Sequence, residues 1–82
     1  MLYFSSPMCR PCRSFGPLLT KELEARSIEP ERIDVTQNVD LANLFEVSAV
    51  PTVAFIRDGE EISRFTGALL GPNLKDALSV LD

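Results

Sequence analysis

The only two cysteines of this chain stand three residues apart, as Cys9-Arg10-Pro11-Cys12, between a short apolar run and a longer stretch of helical periodicity. Leu2 to Phe4 is apolar and aromatic and gives way to Ser5-Ser6-Pro7, which reads as a buried strand feeding a loop. From Pro11 to about Arg26, Phe15, Leu18, Leu19 and Leu23 recur at helical spacing, with Lys21, Glu22, Glu24 and Arg26 mostly on the other side. Gly16-Pro17 lies inside this amphipathic helix and predicts a kink, because proline removes one ladder hydrogen bond and clashes with the preceding turn.

Further along, Arg32 to Val35 alternates polar and apolar residues as a half-buried strand does, and Thr36-Gln37-Asn38 follows as a polar link able to cap a helix. Leu41, Leu44 and Phe45 then form the apolar stripe of a second helix, which Ser48-Ala49-Val50-Pro51 breaks. Thr52 to Ile56 is rich in β-formers, and Asp58-Gly59 is a hairpin signal joining it to a strand from Glu60 to Thr66. Beyond Gly71-Pro72, with proline suited to the first helical position, Leu74, Ala77, Leu78 and Leu81 repeat on one helical face. The order is β-α-β-α-β-β-α: a right-handed crossover at the front, a hairpin at the back, and a mixed sheet covered by helices. At 82 residues the expectation is one α/β domain spanning 1–82. A C-x-x-C beside a β-α-β pattern is the sequence sign of a redox motif.

Charge narrows the partners. Eight Lys and Arg against twelve Asp and Glu give a net charge of −4 with no basic cluster. Nucleic acid and anionic membrane surfaces are therefore excluded as expected partners, since both are bound mainly through clustered cations. The N-terminal residues lack the basic and apolar regions of a secretory signal, and no apolar run approaches a membrane span. A cytoplasmic location is expected, where thiols are kept reduced and a permanent structural disulfide is unusual. Half a zinc site, an iron–sulfur cluster shared between two protomers, or a buried structural pair stay open as alternatives. With no histidine and no third cysteine, a metal site would need carboxylates or a second chain.

The redox reading has a physical basis. A cysteine just ahead of a helix faces unpaired backbone N–H groups and the positive end of the helix dipole, which favours its thiolate. Cys9 is the expected nucleophile; Cys12, one turn on and directed more towards the interior, is the expected resolving thiol. Arg10 and Arg13 add positive charge nearby, so the Cys9 pKa is expected below the ordinary thiol value of ~8.5 and the couple somewhat more oxidising.

Together, Cys9-Arg10-Pro11-Cys12, Val50-Pro51-Thr52, Asp58-Gly59 and Phe65-Thr66-Gly67-Ala68 give the chain, over nearly its whole length, a resemblance to the thioredoxin family. It is most similar to the short members between thioredoxins and glutaredoxins in size. The resemblance implies a thioredoxin-like fold truncated to β-α-β-α-β-β-α, with a four-stranded mixed sheet in the order 2-1-3-4 flanked by three helices. It implies that Pro51 is cis, that Cys9 and Cys12 are catalytic with Arg10, Pro11 and Pro51 supporting them, and that Met8, Val50, Pro51 and Gly67 form the apolar substrate-contact surface. It further implies a monomer without metal or cofactor that reduces protein disulfides, ribonucleotide reductase being one candidate acceptor, and is recharged by a thioredoxin-reductase-like flavoenzyme or by glutathione.

Four departures stand out. The strand and helix that open full-length members have no counterpart here. Met8 replaces the usual tryptophan before the motif, and Arg10 stands where thioredoxins have glycine. Tyr3 occupies the place of the family's buried acid, with Arg32 where a lysine often partners it; a neutral phenol is a poor proton acceptor, which leaves water or the departing substrate thiolate to deprotonate Cys12. Two rival functions resemble parts of the pattern: a glutathione-dependent glutaredoxin-like enzyme, whose Gly-Gly and charged pocket are replaced here by Asp58-Gly59, and a non-enzymatic adaptor, against which both cysteines count.

Overall fold

The computed structural model describes residues 1–81, with side chains as far as Val80. Its elements are β1 (Leu2–Ser5), α1 (Arg10–Ala25), β2 (Glu31–Asp34), α2 (Val39–Leu44), β3 (Thr52–Arg57), β4 (Glu60–Thr66) and α3 (Pro72–Leu78), extended by a 3-10 turn at Ser79–Leu81. The four strands form one sheet in the order β2-β1-β3-β4, as expected. β1 runs parallel to β2 and antiparallel to β3, and β3 and β4 form the hairpin. At its turn Asp58 and Gly59 both have positive φ, 54° and 81°, which a two-residue turn needs if its twist is to match the strands.

Strand alternation divides the core in two. Tyr3, Val53 and Phe55 point to the face covered by α1 and α3, where Phe15, Leu19, Leu23, Leu74 and Leu78 complete a buried cluster. Phe4, Ile33 and Ala54 point the other way, under Leu41 and Phe45 of the α2 segment. Aromatic edges tie the first cluster together: Tyr3 meets Phe15 at 5.9 Å and 75°, and Phe15 meets Phe65 at 6.0 Å and 88°. On the second face, Arg64 of β4 donates to the Phe45 carbonyl at 2.6 Å, satisfying a backbone group that the end of α2 leaves without a helical partner.

Two local expectations are corrected. Leu18 is 43% exposed and Leu44 is 75% exposed, although the spacing puts both on the apolar stripes of their helices. Gly16 and Cys12 in α1, and Ala42 in α2, occupy the sheet-facing arc instead. Asn38 does stand at the N-cap of α2, but its side chain makes no capping bond; its amide donates to the Asp34 carbonyl at 2.9 Å. Helix α1 continues through Pro17 as one element, its ring exposed to solvent. Leu74 and Leu78 are buried in α3 as read from the sequence, whereas the Leu81 side chain lies outside the described residues. Among the described residues no helix is long and apolar enough to cross a membrane.

The two leucine environments predict opposite mutational outcomes. Leu19→Ala, which empties a wholly buried position, should lower stability by about 2–5 kcal/mol, and Leu44→Ala should stay within about 0.5 kcal/mol. Urea titration of the two variants checks this, and equal losses would contradict the assignment of faces.

Candidate active site

Cys9 is the N-cap of α1, extended at φ −92° and ψ 110°, and the chain turns helical directly after it. Its amide donates to the Ser6 carbonyl at 3.1 Å, and the first helical bond runs from the Arg13 amide to the Cys9 carbonyl at 3.3 Å. Pro11 lies in the first turn, where a missing N–H leaves no ladder bond unmade. The Cys12 amide donates to Cys9 Sγ at 3.2 Å, so an N–H that the helix leaves unpaired is aimed at the sulfur. The two cysteines are joined in a disulfide, with their Cα atoms 5.2 Å apart. They are not equivalent: Cys9 is half-buried, and Cys12 is only 6% exposed.

Opposite the disulfide stands the loop before β3. Its Val50–Pro51 peptide bond is cis, as the resemblance implied, and Cys9 Sγ lies 3.6 Å from the Val50 carbonyl oxygen. Polar bonds hold this loop from both sides. The Gly67 amide donates to the Pro51 carbonyl at 2.8 Å, the Thr52 hydroxyl donates to the Ala49 carbonyl at 2.6 Å, and the hydroxyls of Thr52 and Thr66 are 3.1 Å apart. Val50 is therefore brought to Cys9, with Pro51 next in the chain and Gly67 bonded to Pro51. Met8 adjoins Cys9 in the chain and is 84% exposed, an apolar side chain set in solvent at the rim. Arg10 is exposed on the first helical residue, and Arg13 donates to the Pro7 carbonyl at 3.0 Å, bracing the loop that leads into Cys9. Among the described residues no group of three or more His, Cys, Asp or Glu comes together as a metal site.

Behind Cys12 lies Tyr3, 3% exposed, its hydroxyl donating to the Cys12 carbonyl at 3.4 Å. Burial pushes its phenol pKa up, with the charge of Arg32 and a hydrogen bond from Ser5 pulling partly the other way. The phenol is accordingly neutral at physiological pH. A groove of about 680 Å³ opens on this side of the disulfide, between β1, α1 and β2. Cys12, Tyr3, Gly16 and Thr20 are among its walls, and Arg32 crosses it to donate to the Thr20 hydroxyl at 2.7 Å. Sequence reading treated Gly16 only as part of a kink. The available signal was its cost: glycine within a helix is about 1 kcal/mol less favourable than alanine and asks for a reason in the packing.

The thioredoxin family model matches residues 1–79. The mitochondrial thioredoxin of Mus musculus is 36% identical over 66 residues, covering 78% of this chain and 40% of that protein. Probable thioredoxin-2 of Caenorhabditis elegans is 37% identical over 75 residues, covering 89% and 52%. Among solved structures, Fasciola hepatica thioredoxin superposes with a TM-score of 0.86 at 33% identity, covering 99% of this chain and 78% of that one. A poplar thioredoxin h gives 0.85 at 30% identity, covering 99% and 74%. The chain spans about half or less of the length of these two curated relatives.

The single tyrosine allows a direct test of its burial. Because its folded pKa is raised above the unfolded value of ~10, the stabilisation is fully present below ~pH 10 and is lost as pH rises through the folded value. The oxidised protein should therefore show a late phenolate absorbance step coupled to loss of stability, and Tyr3→Phe should remove that stability loss. A step at the ordinary tyrosine value with no change in stability would contradict the assignment.

Proposed function

The chain belongs to the thioredoxin family, and we propose that it works as a dithiol–disulfide oxidoreductase that reduces protein disulfides through Cys9 and Cys12. The observation that carries this reading is the asymmetric disulfide at the start of α1, with Cys9 half-buried beside the Val50–Pro51 loop and Cys12 enclosed beneath it. In the reduced protein the Cys9 sulfur keeps the Cys12 amide as a donor, and a donor aimed at a thiolate favours the charged form.

The reaction then balances without a cofactor. The Cys9 thiolate attacks one sulfur of a substrate disulfide, and the other substrate sulfur leaves as a thiolate that solvent protonates. Cys12, once deprotonated, attacks the Cys9 sulfur; the bond to substrate breaks and the Cys9–Cys12 bond forms. Two electrons have passed from the dithiol to the substrate, and a thioredoxin-reductase-like flavoenzyme or glutathione restores them. Met8, Val50, Pro51 and Gly67 supply the contact surface. An exposed thioether is adaptable enough to pack against varied partners, which suits flexible protein segments and ribonucleotide reductase among them. A reducing compartment such as the cytosol fits a couple that must be recharged to turn over.

Arg10 has an electrostatic part in this reading. Its charge beside Cys9 stabilises the thiolate, hence the reduced form, and makes the couple more oxidising.

Reduction of insulin disulfides with dithiothreitol as electron source tests the whole reading. Activity above background is expected in the parent and should vanish in Cys9→Ser, while Cys12→Ser should accumulate a mixed disulfide with substrate. Inactive parent protein that turns over a glutathionylated substrate would favour the glutaredoxin-like rival, and biological activity surviving Cys9→Ser would favour an adaptor. For Arg10→Ala, thiolate absorbance should titrate at higher pH than in the parent; an unchanged titration removes Arg10 from the mechanism.

A further inference from the structure

We propose that the groove behind Cys12 is the outlet through which the resolving thiol gives its proton to water, with no side-chain base taking part; this rests on the dithiol reading above. Resolution requires a Cys12 thiolate, yet Cys12 is only 6% exposed, and a substrate joined to Cys9 would cover the Cys9 side of it. Water must reach it from another side, and the groove is lined by Cys12 itself and by the hydroxyl-bearing Ser5, Ser6 and Thr20.

The charged and titratable groups of the groove come from all three elements around it. Tyr3 of β1 is neutral and donates to the Cys12 carbonyl. From α1 come Arg13, which is bound to the Pro7 carbonyl, and Lys21 and Glu24. From β2 come Arg32, bound to Thr20, and Asp34, whose Oδ1 accepts from the Thr36 amide and hydroxyl. Among the described residues neither carboxylate hydrogen-bonds Cys12 or Tyr3. Three cations against two carboxylates favour hydroxide and thiolate in this groove rather than their protonated forms.

Gly16 is the second observation. It lies in the helix one turn beyond Cys12, where glycine costs about 1 kcal/mol relative to alanine. No clash demands it, because a Cβ there would be 3.5 Å from Tyr3 Oη, an ordinary contact. What the missing side chain leaves is space in the wall of the groove, beside Tyr3 Oη and one helical turn from Cys12, which lines the same groove. In the mixed disulfide the Cys12 proton passes to hydroxide or water in that space. The thiolate then attacks the Cys9 sulfur and the substrate sulfur leaves with the electron pair.

The test is stopped-flow reaction of the reduced protein with one equivalent of a chromogenic nitrobenzoate disulfide, whose departing thiolate is too weak a base to take the proton. The first release of colour reports attack by Cys9 and the second reports resolution by Cys12. The second phase should accelerate about tenfold per pH unit from about pH 6 to 8, as removal of the proton by solvent requires. Gly16→Ala should slow that phase several-fold while leaving the first unchanged, and Tyr3→Phe should keep the pH slope. A second phase indifferent to Gly16→Ala would overturn the proposal, as would a flattened profile that Asp34→Asn or Glu24→Gln converts to the full slope. Absence of either phase in the parent would instead remove the dithiol reading itself.

Discussion

The seating of α1 on the sheet decides what each cysteine is able to do. Phe15, Leu19 and Leu23 are wholly enclosed between the helix and the strands. Each such side chain contributes roughly 1.5–3 kcal/mol, so the helix cannot rotate about its axis without losing most of its contribution to the fold. At ~100° per residue, Cys12 falls within the same arc as these three and is carried inward with them. Cys9, one residue ahead of the helix, lies outside that constraint and reaches the edge of the molecule. The division between an accessible and an enclosed sulfur is thus a consequence of core packing.

Helical geometry also explains where sequence reading succeeded and where it did not. The strand order, the Asp58-Gly59 turn and the terminal helix were legible because each rests on a local rule: alternation, a residue pair able to take positive φ, or proline at a helix start. Leu18 and Leu44 were misplaced for one shared reason. Relative to Phe15, Leu18 lies about 60° to one side, while Leu19, Cys12, Leu23 and Gly16 spread to the other, so the true centre of the buried arc is about 100° from Leu18. In α2, Leu44 stands in the same relation to Leu41, Ala42 and Phe45. A stripe drawn through the largest apolar residues missed the small ones, Gly16 and Ala42, that face the sheet. Asn38 failed differently: its amide found the Asp34 carbonyl, a competing backbone acceptor four residues back.

The candidate site was legible in its parts but not in its closure. Spacing alone pointed to Cys9 and Cys12. Nothing in the spacing told that the Val50 carbonyl would stand 3.6 Å from Cys9, which depends on pairing between residues far apart in the chain. That pairing runs through Thr52↔Thr66 at the near end of the hairpin and the Gly67 amide just beyond it. The Asp58-Gly59 turn sets the register at the far end, with a bulge between Phe55 and Ile56 adjusting it on the way, so the loop that faces the cysteines is positioned by a hairpin whose turn is remote from them.

Two residues that weaken a helix, Gly16 and Pro17, follow one another in the middle of α1, and both line the groove behind Cys12. Pro17 removes the ladder bond to the Arg13 carbonyl and Gly16 adds conformational freedom to the unfolded chain, so the pair works against a fold that at 82 residues has a modest core. Packing does not require either of them: the Pro17 ring is exposed, and the position of Gly16 has room for a methyl group. Local rules are broken in natural proteins chiefly where function needs them broken. Here the breach falls one turn beyond the buried Cys12 and beside a neutral phenol that is a poor proton acceptor, which is where the proposed route needs an enclosed thiol to meet water.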